Sequence, residues 1–199
     1  MKRTIFTLLL ACVLLVSGCS YENRAENLQK TSTATKISDI SLSIDSSKLF
    51  SSRDFETGYD ESTSAIIHLN GDTATSISNA VKISGSTVFI TDEGTYILSG
   101  ILNDGIIIVD SEKTDKVQLV LNNVSIHSAT FAPIYIRQAD KVFITLAPDS
   151  VNTLTNGGTF ASIDENNIDG VIFSKEDLTL NGSGIMTITS PAGHGIVSK

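Results

Sequence analysis

The sequence predicts an all-β protein built as a parallel β-helix, a solenoid of short stacked strands. Apolar and polar residues alternate over 116–121, and this period of two in a stretch rich in β-branched residues indicates a strand. Strands of this kind follow Asp115 and Asp140, 25 positions apart, which is a typical repeat length. One such repeat cannot bury its apolar face alone, so stacked copies are expected to form one continuous core.

A second type of strand recurs between these copies and completes the repeat. The third copy of the first type begins at Glu176, 36 positions after Asp140, so an insertion of about 11 residues is expected within 148–170. An antiparallel sandwich is the alternative, but the constant order of the motifs favours the solenoid. The chain stops at Lys199, directly after a strand of the second type, and this predicts a solenoid that is incomplete at its C-terminal end. The second type of strand lies at 105–110, 133–137, 170–175 and 195–199.

Four segments of the sequence, 50–60, 94–100, 119–126 and 172–184, carry a family resemblance. Together they resemble a bacterial carbohydrate-binding domain family of the clostridial cellulose- and pectin-binding type, and residues 50–60 resemble the start of that family. The resemblance implies a right-handed parallel β-helix similar to polysaccharide lyases. It also implies bound calcium and no established catalysis.

The composition limits the classes of partner and of site that we expect. The net charge is −8 and the isoelectric point is about 4.7, so nucleic acid is not an expected partner. The two cysteines, Cys12 and Cys19, both lie near the N-terminus, which leaves the rest of the chain without a disulfide framework. An acidic protein would also repel an acidic polysaccharide unless divalent cations bridge the two.

The N-terminal residues have the pattern of a bacterial lipoprotein signal. A basic start precedes an apolar run over 5–16, and Val-Ser-Gly-Cys follows at 16–19. We therefore expect residues 1–18 to be a signal peptide and Cys19 to carry the lipid, which places the protein on the outer face of a bacterial cell membrane. The alternative is an ordinary signal peptide with a chance cysteine.

Residues 19–36 are polar and predict a flexible tether, and residues 37–199 then form the carbohydrate-binding domain. Residues 37–44 alternate as a possible first strand. Ser52 has an N-cap pattern ahead of Phe55, which predicts a short N-terminal capping segment over the open end of the solenoid.

The inserted segment predicts a calcium site. It concentrates oxygen ligands at Asp164, Glu165, Asn167 and Asp169, and calcium prefers several such ligands. The spacing is not that of an EF-hand, and a solvated turn is the alternative reading.

A candidate sugar site combines Tyr135, Arg137 and Lys175. Tyr135 and Arg137 share one face of a strand, and Arg137 aligns in the repeat with Lys175 and Lys199. A lyase would need such a cation as a base, but charges that protect strand edges are the simpler reading, so no catalytic residue is assigned. We expect noncatalytic, calcium-assisted binding of an acidic, pectin-like or a cellulose-like polysaccharide. The alternatives are a pectate-lyase-like enzyme and an adhesin that binds protein.

Overall fold

The computed structural model describes residues 49–199. The chain divides into two units, residues 1–43 and 44–199, and the fold below is that of the second unit from Leu49 onward. The predicted signal peptide, the lipid site at Cys19, the tether and the strand over 37–44 lie outside the described residues. Within 49–199, no helix is long and apolar enough to cross a membrane.

Residues 49–199 form fourteen strands and one short 3-10 turn, Ser52–Phe55, which confirms the all-β class. The strands are β1 (Ala65–Gly71), β2 (Ala74–Thr75), β3 (Val81–Ser84), β4 (Thr87–Ile90), β5 (Gly94–Leu102), β6 (Ile106–Asp110), β7 (Lys116–Ser128), β8 (Ile134–Gln138), β9 (Lys141–Leu146), β10 (Val151–Asn156), β11 (Gly170–Ser174), β12 (Asp177–Gly182), β13 (Ile185–Thr189) and β14 (His194–Ser198).

The strands make two sheets. The eight-stranded sheet has the order β12-β9-β7-β5-β1-β2, with β10 pairing β7 and β13, and the six-stranded sheet has the order β14-β11-β8-β6-β4-β3. The predicted repeats pair in register, since Lys141 lies opposite Lys116 on one side and Asp177 on the other. Each repeat thus contributes strands to both sheets.

The prediction of a right-handed parallel β-helix is wrong. Both sheets are mixed, because β1 pairs β2 and β3 pairs β4 in the antiparallel direction while the other pairings are parallel, and residues 49–199 form no closed solenoid. The physical cause lies in tight turns. Gly71 and Gly85 both have left-handed φ angles, of 81° and 58°, and the chain reverses directly at these points.

The core lies between the inner faces of the two sheets. Alternation along the strands decides which residues enter it: Leu119 and Ile144 point inward from the eight-stranded sheet, and Ile107 and Ile136 from the six-stranded sheet. All four side chains are fully buried. Their neighbours in sequence point to the outer faces, where two smaller apolar clusters form.

Two further expectations need correction. The short N-terminal turn exists, but it contacts Phe143 and Thr179 on the outer face of the eight-stranded sheet instead of covering the end of a stack. Part of the expected insertion is the strand β10, so that the irregular loop spans only residues 157–169.

Candidate functional site

One row of apolar side chains crosses the outer face of the six-stranded sheet. The strand registers align Phe89, Ile108, Tyr135, Phe173 and Val197 on five neighbouring strands. The rings of Tyr135 and Phe173 pack at a centroid distance of 5.9 Å. Outer strand faces are ordinarily polar where they meet water, so this row needs a cover or a ligand.

Cations lie beside this row where the strands end. Arg137 lies in β8, and the register places Lys175 and Lys199, which directly follow β11 and β14, beside it, as the sequence alignment of the repeats predicted. Lys175 Nζ donates a hydrogen bond of 2.8 Å to Asn166 Oδ1. Lys199 Nζ lies 4.8 Å from the centre of the Phe173 ring.

Arg137 differs from the two lysines because it has a carboxylate partner. Its guanidinium donates to Asp110 Oδ2, and this bond raises the pKa of Arg137 above its ordinary value. Within residues 49–199, Lys175 and Lys199 form no salt bridge with a side-chain carboxylate, so their charge is available to an anionic ligand.

The loop over 157–169 covers half of the apolar row. Tyr135 Oη donates a 2.6 Å hydrogen bond to Asp164 Oδ2, and Asn166 Nδ2 donates a 2.8 Å bond to Tyr135 Oη. Burial and the bond to Asp164 together raise the pKa of Tyr135. Burial alone would raise the pKa of Asp164, but the hydrogen bonds from Tyr135 and Asn166 outweigh it and lower that pKa. Tyr135 is fully buried, so it holds the loop and does not offer its ring to a ligand.

Asn156 fixes the start of this loop. Its Nδ2 donates to the carbonyl oxygens of Phe131, at 2.9 Å, and Thr159, at 2.8 Å, while the Gly158 N–H donates to its Oδ1 at 2.6 Å. The side chain is only 2% exposed. Sequence analysis missed this residue because an Asn beside Gly-Gly indicates only a turn.

The uncovered half of the row forms a groove with a volume of about 230 Å³. Phe131 and Ile163 form one wall, Phe89 and Ile108 form the floor, and Arg137 lies at one end. Pockets for drug-sized ligands are larger, roughly 300–1,000 Å³. The groove therefore suits one unit of a longer chain that passes across the face. Thr87 and Ile106 complete the lining.

The four predicted calcium ligands do not come together as a cluster. Both oxygens of Asp164 accept hydrogen bonds, and the Asn167 carbonyl accepts one from Lys199. Glu165 is exposed, and Asp169 has one buried oxygen, Oδ1, without a hydrogen-bond partner. In residues 49–199, no three side chains of His, Cys, Asp and Glu are grouped to hold a metal ion. Calcium binding by the loop stays a prediction.

The fold and this face define a β-sheet protein with a lateral groove of apolar and cationic groups. The model of the carbohydrate-binding domain-containing protein family matches residues 84–199, more than half of the chain, and the chain belongs to this family. The matched part contains every element of the groove and its loop. Membership of a carbohydrate-binding domain family, which the sequence resemblance predicted, is therefore confirmed.

Two known proteins are similar to this chain. A carbohydrate-binding domain-containing protein of Acetivibrio thermocellus is 38% identical over 120 residues, which are 59% of this chain and 42% of that protein. A solved structure of the polysaccharide lyase-like protein from C. thermocellum, a gadolinium derivative, aligns with a TM-score of 0.65 and 35% identity. That alignment covers 68% of this chain and 56% of the other. The chain thus spans about half the length of the relatives it matches.

Proposed function

We propose that this protein binds an extracellular polysaccharide noncatalytically, in the groove on the outer face of the six-stranded sheet. One observation carries the proposal: an apolar floor and wall lie directly beside side-chain cations on a rigid sheet. Family membership supports carbohydrate as the ligand class, and the geometry supports this face as the place.

The groove matches the two surfaces of a sugar unit. A pyranose ring has a C–H face that packs on apolar and aromatic side chains such as Phe89 and Phe131. Its hydroxyl and carboxylate groups then meet Arg137 at the end of the groove, and Lys175 beyond it. Charge-assisted hydrogen bonds to a carboxylate are about twice as strong as neutral ones, so we expect acidic sugars to bind better than neutral ones.

The arrangement of the cations favours binding over cleavage. A lyase needs a base that can take the proton from the sugar carbon to which the carboxylate group is attached. Arg137 is paired with Asp110 and its pKa is raised, so it keeps its proton. The solved relative is a polysaccharide lyase-like protein, which makes an enzyme the second candidate. Incubation with pectate tests it, because new unsaturated uronic acid would reveal lyase activity.

Calcium and membrane attachment are separate parts of the proposal. Among residues 49–199, Asp169 Oδ1 has no hydrogen-bond partner, and it is the loop oxygen that would be offered to calcium. Loss of acidic-sugar binding on addition of a chelator tests this point.

Lipidation of Cys19 would hold the groove outside the cell, and Cys19→Ser is expected to release the protein from the membrane fraction.

The binding test uses two matched pairs of variants in calorimetric titrations with hexagalacturonate and cellohexaose. Ile163→Ser removes an apolar wall of the groove, and its control Ile101→Ser changes an exposed isoleucine of the other sheet. Lys175→Ala removes a cation that forms no salt bridge within residues 49–199, and its control Lys113→Ala removes an exposed lysine of the turn before β7.

We expect Ile163→Ser to weaken both ligands about tenfold and Lys175→Ala to weaken mainly the acidic one. The controls should bind like the unmodified chain. Equal effects in variants and controls would place the binding surface elsewhere.

A further inference from the structure

The segment Ser51–Glu56, here called the latch, lies on the outer face of the eight-stranded sheet. Asp54 is 5% exposed and its carboxylate binds Lys141 Nζ at 2.6 Å and the Thr179 hydroxyl. The Arg53 guanidinium lies 4.6 Å from the centre of the Phe143 ring. The latch therefore touches three neighbouring strands, β7, β9 and β12, through side chains that point away from the core.

Under the latch lies a row of aromatic and polar side chains. The registers align Gln118, Phe143 and Thr179 across β7, β9 and β12. Thr145 and Asn181 are neighbours in the next row, and Thr145 Oγ1 donates a 2.7 Å hydrogen bond to Asn181 Oδ1. An aromatic ring flanked by amides, hydroxyls and one ammonium is the chemistry that binds a uronic acid unit.

Most polar and aromatic groups of this surface have a partner in the latch, of the kind that a sugar could also supply. Its carboxylate takes the ammonium and the hydroxyl, and its guanidinium covers the ring. Asn181 Nδ2 donates to the carbonyl oxygens of Asp54, at 3.2 Å, and Glu56, at 3.1 Å. These contacts are made by side chains that point away from the core, and a ligand that brings its own carboxylate to Lys141 can replace them without leaving the lysine charge unpaired.

We propose that this row is a second, covered binding site for a uronic acid unit, and that the latch and the sugar compete for it. The uronate carboxylate takes the place of the Asp54 carboxylate on Lys141 and Thr179, and the sugar ring takes the place of Arg53 over Phe143. The inference rests on the proposed function for its ligand class, but not on the groove, which lies on the other sheet.

If the latch and the sugar compete for the second site, the affinity for the sugar depends on how often the latch is open. A site that is open only part of the time binds with an apparent Kd equal to the intrinsic Kd divided by the open fraction, so weakening the latch must tighten binding. In the full chain, Arg53→Ala uncovers the ring and leaves Lys141 and Thr179 in place. Because it also removes a positive charge, simple electrostatics would predict weaker binding of an acid.

The first experiment titrates hexagalacturonate into Lys175→Ala chains, in which the groove is weakened, with and without Arg53→Ala. We expect Arg53→Ala to tighten binding at least threefold, and Phe143→Leu added to it to abolish the gain. Unchanged or weaker binding in a folded Arg53→Ala chain, or a gain that persists with Phe143→Leu, would overturn the proposal.

The second experiment needs no variant. In the unmodified chain, Asp54 and Glu56 donate backbone hydrogen bonds within the latch, to Ser51 and Arg53. Saturating hexagalacturonate should speed hydrogen exchange at these two amides at least threefold, with no change in β7 and β9. Slower or unchanged exchange would refute competition even if the groove binds sugar. A third result is faster exchange at the latch together with normal sugar binding by the groove variants. That result would refute the groove and leave the second site standing.

Discussion

Replacing Asn156 by alanine should loosen the loop that walls the groove, and Asn152 supplies a matched control. Both asparagines lie in β10, with exposed fractions of 2% and 0%. Asn152 donates to the Ile185 carbonyl at 3.1 Å and accepts from the Val124 N–H at 3.1 Å, so it joins β10 to its neighbouring strands. Asn156 instead joins β10 to the loop.

The expected loss of stability is similar for the two substitutions. Each leaves two or three backbone groups without a partner, and a buried unsatisfied group costs about 1–3 kcal/mol. Water can reach part of the loop around Gly158, so the cost per group there lies near the lower limit. We expect each variant to lose about 2–4 kcal/mol of the free energy of unfolding.

The two variants should differ in ligand binding. Phe131 and Ile163 form the groove wall, and Phe131 is held by Asn156, so Asn156→Ala should weaken hexagalacturonate binding about tenfold. Asn152→Ala should bind like the unmodified chain at a temperature where both variants are folded. Urea denaturation measures the stabilities and calorimetry the binding. Equal binding losses in both variants would show that the loop does not shape the site.

Three other predictions concern stability. Gly182→Ala should lower the free energy of unfolding by about 2 kcal/mol or more, because φ is +99° and the new Cβ would lie 2.2 Å from the Leu146 carbonyl oxygen. Its control is Gly58→Ala, which has no neighbour within 4 Å and should be nearly neutral in urea denaturation. The bond to Lys141 lowers the pKa of Asp54, so the contribution of the Asp54 carboxylate to stability is complete above about pH 4 and is lost as the pH falls. The difference in the free energy of unfolding between the unmodified chain and Asp54→Asn should therefore become smaller below about pH 4. A difference that does not change with pH would contradict this. Tyr135→Phe removes the hydroxyl that holds Asp164 and should cost about 1–2 kcal/mol and speed hydrogen exchange in the loop, with unchanged exchange as the contrary result.

Strand positions could be predicted because alternation is local. The segments around 117–121 and 142–146 became paired strands with the expected register, since the same period of two decides which side chains enter the core. The direction of pairing near the N-terminus could not be predicted as well. There the turns at Gly71 and Gly85 reverse the chain, and the repeat, which begins only later, gives no information about them.

The site was predicted in part. Arg137 and Lys175 do lie side by side at strand ends, because a register shared by equivalent strands brings equivalent residues together. The burial of Tyr135 depends on contacts with a loop 29 positions away, and alternation says nothing about such contacts. Asn156 and Asp54 act through hydrogen bonds that form only after packing, so their roles became visible only in the structure.

A titration followed by amide chemical shifts tests the central claim most directly. Hexagalacturonate added to the labelled chain should shift amides of β4, β6, β8 and the loop 157–169, which surround the groove. A second group of shifts is expected only at the latch and the strands under it. Binding that shifts neither group, or no binding in the presence of calcium, would contradict the proposal that the outer faces of these sheets recognise polysaccharide.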